Sequence, residues 1–183
     1  MLRALQWQYE FDGSDWNQIG TSISGNFGYL SSVSVSINDM GNRMIINGSG
    51  TEGFGVLLGE TEVYEFNGSD WNQVGSTIPA FNGILSQAQP TSASINAVGD
   101  RIALGTYSAS SGDQSGLVQV YQESGGIWTQ VGADIVGSND QTGASVSINA
   151  EGNRMVVGSP LSSAGTIRIY EESSGTWTQV GTD

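Results

Sequence analysis

The sequence predicts an all-β protein made of repeated units of four short antiparallel strands, and three observations support this class. The motif Trp-x-Gln-[Ile/Val]-Gly occurs at Trp16, Trp71, Trp128 and Trp177, with separations of 55, 57 and 49 residues. Ser-Ile-Asn followed by Gly-[Asn/Asp]-Arg occurs three times between these motifs. Glycine contributes 27 of 183 residues, and no stretch shows the apolar period of a helix. A repeat of about 50 residues is typical of β-propeller blades, so we predict a β-propeller arc.

Each repeat divides into strands a to d, separated by turns that contain glycine. Strand a alternates, with Val35 and Ile37 on one side and Ser34 and Ser36 on the other, whereas strand b is apolar almost throughout, with three apolar residues after its arginine. The tryptophan of strand d is expected to pack between neighbouring blades, because a large ring buries much area at small entropic cost. The glutamine of each motif is expected to link one blade to the next. The predicted strands are Val33–Asn38, Thr91–Asn96 and Ala144–Asn149 for a, Arg43–Asn47, Arg101–Gly105 and Arg154–Gly158 for b, Glu62–Phe66, Leu117–Gln122 and Thr166–Glu171 for c, and Trp71–Gly75, Trp128–Gly132 and Trp177–Gly181 for d.

The repeats predict one domain over residues 1–183, divided into an N-terminal half blade and three full blades. The half blade covers residues 5–20 and holds only strands c and d, and the full blades cover 21–75, 76–132 and 133–183. Closed propellers have about four to eight blades, and a repeat cannot bury its faces alone. We therefore expect the chain to form a homo-oligomer or to pack against another structural protein.

Two segments are apolar for the loops in which they are predicted to lie. One is the b–c connection of the first full blade, between Gly48 and Gly59, and the other is the d–a connection before Pro90. Exposed apolar segments in a polar protein mark interfaces. The candidate interface residues are Phe54, Val56, Leu57, Leu58, Phe81, Ile84 and Leu85.

Composition excludes several functions. The net charge is −13, with five arginines and no lysine, so a nucleic-acid partner is not expected. Histidine and cysteine are absent, which removes the commonest general base, the usual zinc ligands and every thiol nucleophile. We predict no cofactor and no catalytic residues. The turn before Trp71 resembles the aspartate box of sialidases, but its spacing does not match, so a glycan-acting enzyme is kept as an outlier and a glycan as a ligand class.

The N-terminus begins with Met and lacks the apolar core of a signal peptide, and no run approaches 18 apolar residues. We therefore predict no membrane insertion. Either the chain acts where it is made, or in a particle assembled there, or it is cut from a longer secreted protein, so the predicted location is a virion or the extracellular or cell surface.

Two recurring features have competing interpretations. Arg43, Arg101 and Arg154 occupy one repeat position, so they could form a ring that binds an anion, or each could pair with a nearby carboxylate or carbonyl once per blade; we favour the pairing. Asn47 and Asn67 each begin an Asn-Gly-Ser sequence, which is a glycosylation sequon and also a turn; we favour the turn.

The third blade contains Ser-Val-Ser-Ile-Asn, Gly-Asn-Arg-Met-Val-Val-Gly-Ser-Pro, Gly-Thr-Ile-Arg-Ile-Tyr and Trp-Thr-Gln-Val-Gly in that order, with Ser147, Gly158, Ser159, Pro160 and Tyr170 as the best-matching residues. In these motifs the chain resembles, over nearly its whole length, the FG-GAP-type repeat of integrin-alpha-like propellers. The likeness is strongest to the calcium-free variants in surface proteins of microbes and in viral proteins. The resemblance implies a seven-bladed or similar propeller used for adhesion or scaffolding.

Metal is not predicted, because the a–b turns, where that family places its calcium loop, carry too few carboxylates for calcium. We predict a non-catalytic structural or interaction protein. The first hypothesis is a virion structural or decoration protein. The alternative is an adhesion or ligand-binding module of a larger surface protein.

Overall fold

The computed structural model describes residues 5–6, 8–24, 29–52, 56–79, 92–107, 114–162 and 164–182. Every regular element within these ranges is a β-strand. The strands form three antiparallel sheets of four or five strands and two separate strand pairs. The all-β class and the antiparallel four-stranded repeat predicted from the sequence are therefore confirmed.

Four short strands precede the larger sheets. They are β1 (Leu5–Gln6), β2 (Tyr9–Phe11), β3 (Trp16–Gln18) and β4 (Ile23–Ser24). Strands β2 and β3 pair with each other and form what we call the N-terminal hairpin, whereas β1 pairs with β4. The hairpin closes on a turn in which Gly13 adopts a φ of +103°, a conformation that favours glycine.

The three larger sheets follow one another along the chain. Sheet I consists of β5 (Tyr29–Ile37), β6 (Arg43–Glu52), β7 (Val56–Phe66) and β8 (Trp71–Gln73), with β9 (Ile78–Pro79) also paired to β7. Sheet II consists of β10 (Ser92–Ile95), β11 (Arg101–Thr106), β12 (Leu117–Ser124) and β13 (Ile127–Gln130), with β14 (Ile135–Val136) paired to β12. Sheet III consists of β15 (Ser145–Ile148), β16 (Arg154–Ser159), β17 (Thr166–Ser173) and β18 (Thr176–Val180). Within each sheet, the first four strands are neighbours in chain order.

One predicted loop is wrong. Strands β6 and β7 continue beyond the predicted strand ends, and their ladder pairs Leu57 with Thr51 and Leu58 with Gly50. The segment Val56–Leu58 is therefore part of a strand, because its backbone donors and acceptors are satisfied by the ladder. The other candidate interface residues, Phe54, Phe81, Ile84 and Leu85, lie outside the described residues.

The core lies between successive sheets rather than inside one of them. Strand β10 contacts both β5 and β15, so the first strands of the three sheets are neighbours. One apolar cluster joins sheet I to sheet II and includes Ile45, Val63 and Ile102. A second joins sheet II to sheet III, and a third joins residues around the N-terminal hairpin to sheet I. Each sheet therefore depends on its neighbour to bury its apolar side chains.

Candidate interaction surface

A glycine and a tryptophan form a recurring joint between neighbouring repeats. The indole Nε1 of Trp128 donates a hydrogen bond of 2.9 Å to the carbonyl oxygen of Val74, and a Cβ placed on Gly75 would lie 3.1 Å from Cδ1 of the same ring. The same close approach recurs between Gly20 and Trp71 and between Gly132 and Trp177. The prediction that these tryptophans pack between neighbouring repeats is confirmed for Trp71, Trp128 and Trp177.

An arginine forms a second joint between sheets. Nη1 of Arg43 in sheet I lies 3.2 Å from Oε2 of Glu123 in sheet II and donates to the carbonyl oxygen of Gly99 at 3.3 Å. Arg101 of sheet II repeats both contacts with sheet III, at 3.1 Å to Glu172 and 3.0 Å to the carbonyl oxygen of a turn glycine. The pairing interpretation is therefore confirmed at these two arginines, whose side chains are largely buried.

Serines of the first strands form a third joint. Oγ of Ser34 accepts a hydrogen bond of 3.1 Å from the backbone N–H of Ala93 in the next sheet. Oγ of Ser94 accepts one of the same length from the N–H of Ile148. The alternation of serine along strand a, which the sequence shows, therefore links the first strands of adjacent sheets. The sequence contained this signal, but its role could not be assigned without the neighbouring strand.

The asparagine at the end of each first strand closes the following turn. Oδ1 of Asn38 accepts hydrogen bonds from the backbone N–H groups of Asn42 and Arg43, at 3.1 and 2.9 Å. Asn96 and Asn149 accept the corresponding hydrogen bond from the arginine five residues later, at 2.9 and 2.8 Å. These side-chain oxygens are thus used to fix the turns. No group of three His, Cys, Asp or Glu side chains that could hold a metal ion occurs in the described ranges.

The surface of sheet III that points away from sheet II carries exposed apolar side chains. This surface, which we call the open face, is formed by Val156, Ile167, Ile169 and Val180. Ile167 is 74% exposed, whereas Val118, its counterpart in sheet II, is 1% exposed because sheet III covers it. Ile169 is 46% exposed, whereas its counterpart Val120 is 2% exposed. The open face therefore has the composition of a sheet-to-sheet contact without a covering sheet in the described part of the chain.

A groove of about 370 Å³ lies at one end of the open face. Its lining residues are Ala144, Ser145, Gly158, Ser159, Pro160, Gly165, Thr166 and Ile167. None of these side chains is an acid or a base near neutral pH. The groove offers contact area and hydroxyl groups, but no pair of carboxylates for acid–base chemistry.

Arg154 borders the open face and differs from its two counterparts. It pairs with Glu171 of its own sheet at 3.0 Å, and the two side chains are 60% and 43% exposed. The corresponding side chain of Arg101 is 18% exposed because it reaches into the next sheet. Arg154 therefore shows the pairing within its own sheet, but in the described structure it has no contact across sheets.

The opposite side of the assembly of sheets is also partly uncovered. Val35 and Ile37 of β5 are exposed, although the sequence pattern assigns them the same role as Val146 and Ile148, which are buried against sheet II. Ile19 and Ile23, which follow the hairpin, pack with Trp71, and in the described structure no sheet covers Val35 and Ile37.

Asp140 and Arg168 form the centre of a buried polar cluster. Nη1 of Arg168 lies 2.8 Å from Oδ2 of Asp140 and 3.1 Å from Oγ of Ser159. Oγ1 of Thr142 donates to Oδ1 of the same aspartate at 2.8 Å. Burial alone would raise the pKa of Asp140, but the hydrogen bonds from Arg168 and Thr142 outweigh it and hold the pKa below its ordinary value. Because its polar atoms are paired with each other, this cluster anchors the entry into sheet III.

Two further predictions are wrong. Nε2 of Gln18 and of Gln130 donates to the carbonyl oxygen of the glycine two residues later, and Gln73 donates to Thr77, so these glutamines fix the end of their own strand and do not link blades. Asn47 is not in a turn: it lies in β6, is fully buried and accepts a hydrogen bond of 2.8 Å from Thr61. A buried asparagine is also inaccessible to glycosylation in the folded chain.

The turn interpretation is confirmed at Asn67, the other sequon asparagine. Its Oδ1 accepts hydrogen bonds from the backbone N–H groups of Ser69 and Asp70, at 3.0 and 2.9 Å, and Gly68 has a φ of +97°. The described residues contain no helix with the length and apolar character needed to cross a membrane.

Comparison with known proteins finds a similar fold but gives no information on activity. No protein-family model matches the sequence, and no curated protein matches it. Among solved structures, the chain is similar to Sqt1 from Chaetomium thermophilum, with a TM-score of 0.54 and 14% identity. The match covers 82% of this chain and 34% of Sqt1, so this chain spans about a third of the length of that protein. At this identity the similarity concerns the fold alone.

Proposed function

We propose that this chain is a non-catalytic structural or interaction protein, in which the N-terminal hairpin and sheets I to III are successive parts of a β-propeller arc. The face-to-face packing of the sheets and the adjacency of β5, β10 and β15 support this arrangement, because propeller blades meet along their first strands around one axis. The three kinds of joint support it further, since they recur from one sheet to the next.

The observation that carries the functional proposal is the exposure of the open face. Burying a side chain such as Ile167 or Ile169 contributes about 1.5–3 kcal/mol, so a partner that covers this surface gains substantial free energy. Apolar patches of this kind, bordered by polar residues such as Arg154, mark protein–protein contact sites. The open face is therefore proposed as the surface through which the chain binds itself or another structural protein.

The use of the polar side chains supports a non-catalytic role. Arg43 and Arg101 are committed to joints between sheets, and Oδ1 of Asp70 accepts hydrogen bonds of 2.9 Å from the backbone N–H and the hydroxyl of Thr21. Asp70 is the acidic residue of the turn that resembles an aspartate box. Hydrolysis of a glycoside requires two carboxylates that flank a sugar. The carboxylate of Asp70 is already hydrogen-bonded to Thr21.

Within this class we propose the virion structural or decoration role ahead of the adhesion module. The groove beside Ile167 offers few polar groups for a glycan, whereas the open face offers apolar area for a protein. Screening the purified chain against an array of glycans tests whether the virion role should be preferred to the adhesion module. Absence of binding is expected, and specific binding would favour the adhesion module.

Dye binding tests whether the open face is available. At low protein concentration, an apolar fluorescent dye is expected to bind the native chain, and the double variant Ile167→Lys/Ile169→Lys is expected to bind much less. Ile127→Lys is the matched control, because Ile127 is 66% exposed on sheet II and lies at a turn away from the open face. Equal dye binding by the native chain and the double variant would contradict the proposal, provided that both give the same far-ultraviolet spectrum.

A further inference from the structure

The glycine–tryptophan joints leave one tryptophan and one glycine unused. The described repeats form three such joints, and Trp16 and Gly181 are the members of the motif that take part in none of them. Trp16 is 68% exposed, and a Cβ placed on Gly181 would have no atom within 4 Å. Gly181 has a φ of +85°, close to the +73° of Gly75, so its backbone already has the shape of a joint glycine.

The first joint contains a polar contact that the other two lack. The backbone N–H and the Oγ1 of Thr21 both donate to Oδ1 of Asp70 at 2.9 Å. Thr21 directly follows the joint glycine Gly20, and Asp70 directly precedes the joint tryptophan Trp71. A threonine and an aspartate at these two positions thus fasten the tryptophan to the glycine.

The same pair of residue types flanks the unused glycine and the unused tryptophan. Thr182 directly follows Gly181, and Asp15 directly precedes Trp16. The second and third joints have other residues at these positions. They are Ser76 and Ile127 in the second joint and Ala133 and Thr176 in the third. The combination of threonine and aspartate is therefore not a general feature of the repeat, and the two unused ends match the first joint in all four residues.

The N-terminal hairpin also carries the apolar side chains that such a contact needs. Tyr9, Phe11 and Trp16 are 48%, 51% and 68% exposed. Tyr170 and Trp177, the counterparts of Tyr9 and Trp16 in sheet III, pack against the cluster that contains Val118 and Val120 of the preceding sheet. On the open face the counterparts of those two valines are Ile167 and Ile169.

We propose that the N-terminal hairpin of a second copy of this chain packs on the open face of sheet III. Trp16 of one copy then lies on Gly181 of the other, and Asp15 accepts the hydrogen bonds of Thr182. This inference rests on the proposed function, because it names the occupant of the open face. The contact is heterologous, since two different surfaces meet, and it joins copies head to tail.

Disulfide trapping tests the contact directly, because the native chain has no cysteine. Two single variants, Asp15→Cys and Thr182→Cys, are mixed in equal amounts and oxidised gently. The internal control is the double variant Thr21→Cys/Asp70→Cys. It is expected to form a disulfide within one chain, since the two native side chains are in hydrogen-bond contact in the first joint.

The mixed disulfide is expected to exceed either disulfide between identical variants by about tenfold, because a bound pair holds the two thiols at a high effective concentration. The product ratio given by random collision of the two thiols would overturn the inference. A double variant Asp15→Cys/Thr182→Cys that closes within a single chain would also overturn it, because the occupant would then be the same copy.

Repeating the mixture with altered tryptophan tests the role of the indole. Trp16→Ala in the Asp15→Cys partner is expected to remove the excess of the mixed product, whereas Ile127→Ala in the same partner is expected to leave it. An unchanged excess with Trp16→Ala would contradict the inference. Dye binding to the open face together with a random product ratio would refute the second copy as occupant and leave the proposed function standing, whereas loss of the dye result would refute the proposed function itself.

Discussion

Arg43 of sheet I and Glu123 of sheet II form an ion pair of 3.2 Å, with side chains that are 18% and 13% exposed. Arg101 and Glu172 repeat this pair between sheets II and III at 3.1 Å. Because these side chains are largely buried, their charges are mostly removed from water, and each pair fixes the position of one sheet relative to the next. The arginine at the third position, Arg154, retains only an exposed partner in its own sheet.

The first prediction compares two arginines at the same repeat position. Arg101→Met is expected to lower the free energy of unfolding by about 3 kcal/mol, because it leaves the carboxylate of Glu172 largely buried and without its partner. Arg154→Met is the matched control and is expected to cost less than about 1 kcal/mol, since an exposed ion pair contributes little. Urea unfolding at low protein concentration measures both, and equal losses would contradict the assignment of Arg101 to a joint.

The second prediction concerns a joint glycine. Gly75 has a φ of +73°, and a Cβ there would lie 2.5 Å from the carbonyl oxygen of Gly126. Gly75→Ala is expected to destabilise the fold by about 3 kcal/mol, through backbone strain and displacement of the neighbouring sheet. Gly125→Ala, at a φ of +61° with no atom within 4 Å, isolates the strain and is expected to cost about 1 kcal/mol. Thermal unfolding compares the two, and equal costs would show that the space at Gly75 is not needed.

Sequence periodicity predicts most of the sheet structure because alternation and turn glycines act locally. The turns between the first and second strands of each sheet, and the positions of Trp128 and Trp177, follow from the repeat alone. The extension of β6 and β7 was missed because the segment before Gly59 is rich in glycine, although its backbone is paired. Local composition does not show whether a partner strand is present.

The open face could not have been predicted from the sequence. Ile167 and Ile169 follow the same apolar alternation as Val118 and Val120, and the pattern is identical whether or not a further sheet covers them. Whether these side chains are exposed depends on the presence of a neighbouring sheet, which is a feature of the tertiary structure and not of the local sequence. The candidate interface residues chosen from the sequence were apolar loop residues, whereas the surface found here is made of regular strand residues with no special local signal.

The third prediction addresses the buried cluster at the entry to sheet III. Arg168→Met is expected to cost about 3–5 kcal/mol, because Asp140 keeps its charge in a buried position without a cation. Adding Asp140→Asn in the same chain removes that charge and is expected to restore part of the loss. Urea unfolding of both variants measures the difference. An Arg168→Met variant as stable as the native chain would show that the ion pair between Arg168 and Asp140 does not stabilise the entry to sheet III.

The fourth prediction is the dependence of stability on pH. The backbone N–H of Gly175, and then Arg101, lower the pKa of Glu172 despite the opposing effect of burial, and the pKa of Asp140 is also lowered. The unfolded chain therefore binds protons more readily at these groups, so their contribution is complete above the ordinary carboxyl pKa of about 4 and is lost as the pH falls through the lower pKa of the folded state.

Urea unfolding at a series of pH values from neutral to acid tests this sign. The native chain is expected to lose stability on acidification, and Glu172→Gln is expected to lose less over the same range, because the substituted amide does not titrate. Identical pH profiles for the two chains would contradict the role given to Glu172.

The most direct test of the account is the molar mass of the native chain in solution, measured by light scattering over a range of concentrations. Association through the open face predicts a mass above the 19.2 kDa of one chain as the concentration rises, and a return to one chain in the Ile167→Lys/Ile169→Lys variant. A mass of one chain at every concentration, or association that this double variant does not change, would contradict the claim that the open face of sheet III joins copies of the protein.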